Sequence, residues 1–129
     1  MRSGFLFSSS LMIIMTLNCR GLASNPKKLA VRRLIDEQGV DVLFLQETMG
    51  DGVILVGELE TMLKEWKFVS VDAKGKSGGL LLGWRFHQFH LMNAWAVCSS
   101  LCVRLYSIEL KLDFCFVNVY GPYVNRESF

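Results

Sequence analysis

The chain has 129 residues, with 14 Lys+Arg against 12 Asp+Glu and a formal net charge of +2. That length suits one domain; a hydrophobic share of 51% excludes intrinsic disorder as the main state, and two prolines with 11 glycines exclude collagen-like and low-complexity classes. The charge is too small for nucleic-acid binding by bulk electrostatics but leaves room for a local basic patch, and a mean hydropathy of +0.31 means either membrane contact or more apolar surface than the chain can bury alone.

Residues 1–10 read as a leader or disordered segment, and residues 11–129 as the folded domain. Met1, Arg2 and the apolar run 5–17 have the outline of a signal peptide, but Ser8, Ser9 and Ser10 interrupt it and no clean small-x-small cleavage site follows. The run is also shorter than the roughly 20 residues that a membrane span needs. A nuclear or cytoplasmic location is therefore expected over secretion, with no membrane partner.

Residues 11–17 (LMIIMTL) form an apolar run of strand length, suited to a strand covered on both faces. The polar turn 18–21 (NCRG) follows, and then Ser24, Asn25 and Pro26 supply a helix start with a capping side chain and a first-turn proline. The predicted helix reaches about Gln38, with Leu29, Val31, Leu34 and Ile35 on its apolar side and Lys28, Arg32, Arg33, Asp36 and Glu37 on its wet side; Gly39 ends it. Residues 40–46 (VDVLFLQ) give a second buried strand, completing a β-α-β-like unit.

After a loop through Gly50, Asp51 and Gly52, the positions Leu59, Met62, Leu63 and Trp66 predict a second amphipathic helix. Residues 68–71, 80–84, 89–94, 103–112 and 114–120 then read as successive strands, with a turn at 74–79. The architecture is α/β in front and mostly antiparallel β behind. Cys19, Cys98, Cys102 and Cys115 form no C-x-x-C pair and are expected to be reduced, mostly buried thiols. His87 and His90, three apart in a predicted strand, face opposite sides and make no zinc pair.

Two positions lie where an α/β site is built, at the carboxyl ends of buried strands: Asn18 and Glu47. A carboxylate beside a neutral amide is a half-shell for a hard divalent cation such as Mg²⁺, which keeps several of its waters. Spacing alone favours the plainer reading, a glutamate that ends its strand in solvent and an asparagine that makes a turn. Tyr120, before Gly121-Pro122, is either a core ring with its hydroxyl at the rim or a phosphate contact. The basic group Arg20, Lys27, Lys28, Arg32 and Arg33 is either a set of phosphate contacts or the solvated face of the first helix, and a net charge of +2 favours the latter.

In order along the chain, residues 17–22 (LNCRGL), 45–48 (LQET), 77–80 (SGGL) and 118–122 (NVYGP) resemble the motifs of the endonuclease/exonuclease/phosphatase superfamily. The likeness runs from about Met12 to Phe129 and is strongest to the endonuclease part of plant LINE-type retroelement proteins. The resemblance implies a DNase I-like, four-layer α/β sandwich of two packed sheets, here partial and truncated at the C-terminus, and Mg²⁺-dependent hydrolysis of phosphate esters. By position it makes Glu47 the metal-binding glutamate, Asn18 part of the metal and phosphate site, and Tyr120 a contact to the scissile phosphate region. Arg20, Lys27 and Lys28 would touch DNA, and the stretch 77–80 would be structural.

The family's GDFN-like and SDH-like motifs are absent from these 129 residues. The expectation is a truncated, retroelement-derived endonuclease-like domain that binds Mg²⁺ weakly, is inactive alone and self-associates through an uncovered sheet. The alternatives are a non-catalytic nucleic-acid-binding or interaction module of the same fold, and a small secreted protein with a processed leader.

Overall fold

A computed structural model describes residues 3–8, 12–72, 78–98 and 100–119. Ser3–Ser8 (β1) lies antiparallel on Ile13–Asn18 (β2), from Ser3↔Asn18 to Ser8↔Ile13. The stretch expected as a leader or disordered segment therefore contains an edge strand. Phe5, Leu6 and Phe7 stay exposed in it. Backbone pairing rather than side-chain burial places β1, and hydrophobic periodicity carries little information about such pairing.

The first helix, Asn25–Gln38 (α1), forms where its punctuation puts it. The Ser24 hydroxyl accepts the Lys27 N–H (3.4 Å), Pro26 sits in the first turn, and Gly39 closes the end in the left-handed region (φ 63°), donating to the Ile35 carbonyl. Its buried face differs from the expected one. Lys28, Val31 and Ile35 point inward, whereas Leu29 is 52% exposed. Lys28 enters the interior because its ammonium donates to the Ala23 carbonyl (2.7 Å) and pairs with Glu58 (3.2 Å), so the buried charge is compensated.

Val42–Gln46 (β3) pairs parallel with β2 across this helix, in register from Ile14↔Val42 to Asn18↔Gln46. The second helix, Gly52–Met62 (α2), starts earlier than the sequence suggested: the Asp51 carboxylate caps it by accepting the Ile54 N–H (3.1 Å). It ends before Leu63, and Trp66 opens the next strand, Trp66–Val71 (β4). A tight turn, with the Trp66 N–H on the Leu63 carbonyl, puts Trp66 on the same core as Leu59 by reversal of the chain. The i, i+7 spacing imitated a longer helix.

Leu80–Arg85 (β5) inserts between β3 and β4, giving the sheet order β1-β2-β3-β5-β4; β2–β3 is the parallel pair. Phe89–Val97 (β6), Ser100–Ser107 (β7) and Leu112–Val119 (β8) make a second, antiparallel sheet in that order. The expected strand 103–112 is in fact the end of β7, a turn and the start of β8. Ser107 holds the turn, its hydroxyl taking the Leu110 N–H and its carbonyl the Lys111 N–H, with Lys111 in the left-handed region (φ 57°). No Gly, Pro or Asn announces that turn.

Alternation divides the apolar residues between two layers. Leu43, Leu45 and Leu81 face Val31, Ile35, Leu55 and Leu59 of the helices; Val42, Leu80 and Leu82 face Phe89, Val103, Leu105 and Phe116 of the second sheet. Strands covered on both faces need apolar side chains at every position, which explains the uninterrupted runs. The described residues thus stack as helices, mixed sheet and antiparallel sheet. No described helix is long and apolar enough to cross a membrane.

Candidate metal and phosphate site

Because β2 and β3 are parallel, their carboxyl ends meet at one rim. Asn18 closes β2 opposite Gln46, which closes β3. Past the strands the chains stay joined: the Cys19 N–H donates to the Gln46 carbonyl (2.9 Å), Gly21 to Glu47 (2.7 Å) and Leu22 to Thr48 (3.0 Å). On the other flank, Thr48 and Met49 donate to the carbonyls of Gly79 (3.2 Å) and Gly78 (3.0 Å). Glu47 thus sits in a strap held on both sides, with its backbone in the left-handed region (φ 51°) and its residue 3% exposed. Such a backbone costs a non-glycine residue about 1 kcal/mol or more and breaks the strand's alternation at this point.

Gly79 is what lets the strap close. Its φ is 90°, and a Cβ there would run into the Thr48 hydroxyl. The stretch 77–80 therefore contributes, through Gly78 and Gly79, backbone support directly beneath Glu47 and Thr48. Ser77 and Tyr120 lie outside the described residues.

The basic candidates separate. Arg20 is exposed beside the rim. Lys27 closes the turn after β2, donating to the carbonyls of Cys19 (2.7 Å) and Arg20 (2.8 Å). Lys28, expected on a solvated, phosphate-facing side, is 1% exposed and spent on Glu58 and Ala23. A buried, paired ammonium cannot reach a nucleic-acid backbone, so Lys28 drops out as a phosphate contact. His87 and His90 are both exposed, with His87 in the turn after β5 rather than in a strand. Cys19 and Cys102 are buried, whereas Cys98 and Cys115 are exposed.

Cys19, wedged behind Asn18, has its thiol pushed up to about 12 by burial, with Lys27 opposing and Glu47 adding to the rise. Two outcomes are expected. At neutral pH a thiol reagent modifies Cys98 and Cys115 in the native protein but reaches Cys19 only after denaturation, as peptide mass mapping would report. Above pH 9 the unfolded chain releases the Cys19 proton while the folded chain keeps it. Stability is therefore complete below about pH 9 and declines as pH rises towards 12, a slope that Cys19→Ala should reduce in alkaline melting curves.

Residues 15–120 match the sequence profile of the Endonuclease/Exonuclease/phosphatase family. This chain belongs to the endonuclease/exonuclease/phosphatase family. No curated protein sequence matches it significantly. Solved structures carry the fold. A mannosyl-6-phosphatase of Bacteroides thetaiotaomicron has a TM-score of 0.67 at 13% identity, over 89% of this chain and 53% of that one. An endonuclease/exonuclease/phosphatase of Bacteroides vulgatus has 0.65 at 19%, over 88% and 53%. TDP2 of D. rerio, solved with a single-strand DNA product, has 0.63 at 17%, over 89% and 48%. The chain spans about half the length of these structures. The family fold is DNase I-like, in agreement with the two packed sheets and the helical layer.

The rim of this family member fits a hard cation in one specific respect. The Asn18 Oδ1 is buried and has no hydrogen-bond partner among the described residues. A buried carbonyl oxygen ordinarily finds a donor; this one, at a strand end next to the glutamate segment, is free to meet a cation. Both donors are oxygens, the kind Mg²⁺ takes. Among the described residues no cluster of three His, Cys, Asp or Glu forms, so water or substrate would complete the shell.

The sequence reading placed Gln46 and Asn118 inside the 45–48 and 118–122 motifs but gave neither a role. Asn118 is completely buried, accepts the Gln46 side-chain N–H (2.8 Å) and donates to the carbonyls of Leu45 (3.1 Å) and Leu81 (2.8 Å). A signal was present: in β8, Phe114, Phe116 and Asn118 share one face, and a lone amide at the end of an aromatic stripe needs a polar partner.

Proposed function

We propose that this chain is the metal-holding portion of an Mg²⁺-dependent phosphodiesterase, related to retroelement endonucleases and acting on DNA. The observation that carries the reading is the open Asn18 Oδ1 at the shared end of β2 and β3, where the Glu47 segment is fixed by hydrogen bonds on both flanks. Glu47 and Asn18 would hold the ion; bound there, it would polarise a phosphate ester and stabilise the leaving oxygen. Arg20 would meet the nucleic-acid backbone and Lys27 would fix the turn that presents it. Tyr120 follows β8 and is assigned to the phosphate by its motif. The likeness of the motifs to retroelement endonucleases favours DNA, and one protein of the same fold, TDP2, has been solved with a single-strand DNA product.

The chain's own inventory also supports low activity. The family's GDFN-like and SDH-like motifs supply the groups that organise and activate water, and the 129 residues contain neither. General acid–base groups contribute about 10²–10⁴-fold each and act as a unit. The purified chain with Mg²⁺ and supercoiled plasmid is therefore expected to nick no faster than buffer. Metal-dependent nicking that Glu47→Ala abolishes would overturn this part of the reading.

Self-association belongs to the same proposal. Leu91, Met92 and Val97 of β6 and Leu112, Val117 and Val119 of β8 are each between 46% and 57% exposed, an apolar surface that soluble monomers rarely display so densely. Size-exclusion chromatography with light scattering is expected to find species above 14.6 kDa, growing with concentration. A monodisperse monomer at high concentration would remove the self-association claim alone.

A further inference from the structure

We infer that Asn118, acting through Gln46, is a positioning residue that sets where Glu47 leaves its strand; this rests on the reading of Glu47 and Asn18 as ion ligands. The geometry is a bridge between the two sheets. Asn118 is the penultimate residue of β8 in the second sheet, and its amide reaches into the first. Its two N–H groups take the carbonyls of Leu45 and Leu81, which lie directly opposite each other in the β3–β5 ladder. Its oxygen takes one N–H of Gln46, whose nitrogen also donates to the Thr16 hydroxyl (2.8 Å) on β2.

One amide therefore fixes the last residues of β3, the partner position on β5 and, through Gln46, the end of β2. These are the three strands that carry Gln46, Leu81 and Asn18. A fully buried amide in an apolar layer makes little contribution that a leucine could not make to packing alone, and it penalises every arrangement in which its bonds are not all made. What it adds is a single allowed geometry.

That geometry matters one residue later. Glu47 follows Gln46 and turns into the left-handed region, so any slip of Gln46 along or across β3 re-aims the carboxylate. Thr48 and Met49 are held from below by Gly79 and Gly78, and the backbone at the entry to the strap is held by Cys19 and Gly21, while the Gln46 side chain ties that entry to Asn118 and Thr16. Groups that orient metal ligands in this way typically change ion affinity about 10–100-fold when removed.

The test uses the full chain and Mn²⁺, whose free and bound forms electron paramagnetic resonance distinguishes without any need for turnover. Asn118→Ala and Gln46→Met are compared with wild type and with Leu105→Ala, a buried core truncation in the same second sheet. All are measured well below their melting temperatures, with circular dichroism confirming the fold. Both network variants are expected to weaken Mn²⁺ binding by about 10–100-fold. Leu105→Ala should lose stability and leave affinity unchanged.

If Asn118→Ala does not fold, Gln46→Met decides, since it cuts the link to the rim and leaves the Asn118 bonds to the backbone in place. Wild-type affinity in the folded network variants, together with lost binding in Glu47→Gln, would overturn the positioning role and spare the ligand assignment. Wild-type affinity in Glu47→Gln, or no Mn²⁺ bound by the native chain, would overturn the ligand assignment and the positioning role with it.

Discussion

Glu47→Gln is expected to weaken Mn²⁺ or Mg²⁺ binding by ~100-fold or more, beyond the roughly 10–100-fold that removal of supporting groups costs. The substitution keeps the side chain's shape and removes its charge. The Asn18 amide oxygen would then remain as a neutral donor, and no three-residue cluster of His, Cys, Asp or Glu exists among the described residues to take over. Asn18→Ala should act in the same direction with a smaller effect, because a neutral carbonyl contributes less to a hard cation than a carboxylate. The measurement is the free Mn²⁺ signal against added protein. Unchanged affinity in Glu47→Gln would sink the proposed site.

Stability of the Glu47→Gln variant is expected to change less than that of a core truncation. The strap around position 47 is built from backbone hydrogen bonds with 21, 22, 78 and 79, none of which needs the carboxylate. Loss of binding without loss of fold would separate a ligand from a structural glutamate, and thermal melts run without added metal supply that control.

The largest expected stability effect lies immediately upstream. Leu45→Ala should destabilise the fold by about 2–5 kcal/mol, the range for truncating a buried leucine to leave a partly collapsed cavity. Leu45 is 0% exposed and packs in the layer between the mixed sheet and the helices, with Val31, Ile35 and Leu59. At roughly 4 °C per kcal/mol for a domain of this size, the midpoint falls by ~8–20 °C. The contrasting substitution is Ile54→Ala on α2, where the side chain is 60% exposed and the expected change is within about 0.5 kcal/mol. Equal effects at the two positions would mean that the helical layer does not pack on β3 as described.

Local chemistry made much of this protein legible from its sequence. Ser24, Pro26 and Gly39 marked the ends of α1, since capping and left-handed closure depend on residues adjacent in sequence. The unbroken runs of β2 and β3 announced strands buried on both faces, and four short motifs in order carried the family. Glu47 and Asn18 were placed at strand ends because strand polarity follows directly from a β-α-β unit.

What failed did so where distant residues supply the partner. Lys28 reads as a solvated lysine until Glu58, on another helix, is brought opposite it. Trp66 reads as the next turn of a helix until the chain reverses at Leu63, and the pairing of Ser3–Ser8 with β2 leaves no mark in the local sequence. Asn118 and Gln46 are 72 positions apart and meet only when one sheet is laid on the other.

Sequence by itself thus determined the strand–helix–strand frame, the family and the places of Asn18 and Glu47 at the strand ends, because caps, periodicity and motif order are short-range properties of the chain. Tertiary structure alone decided which face of α1 is inside, that the glutamate leaves β3 in a left-handed turn, and that an amide from the opposite sheet pins that departure. Those outcomes rest on pairings between groups far apart along the chain, and the free energy of such pairings exists only once both partners have been packed together.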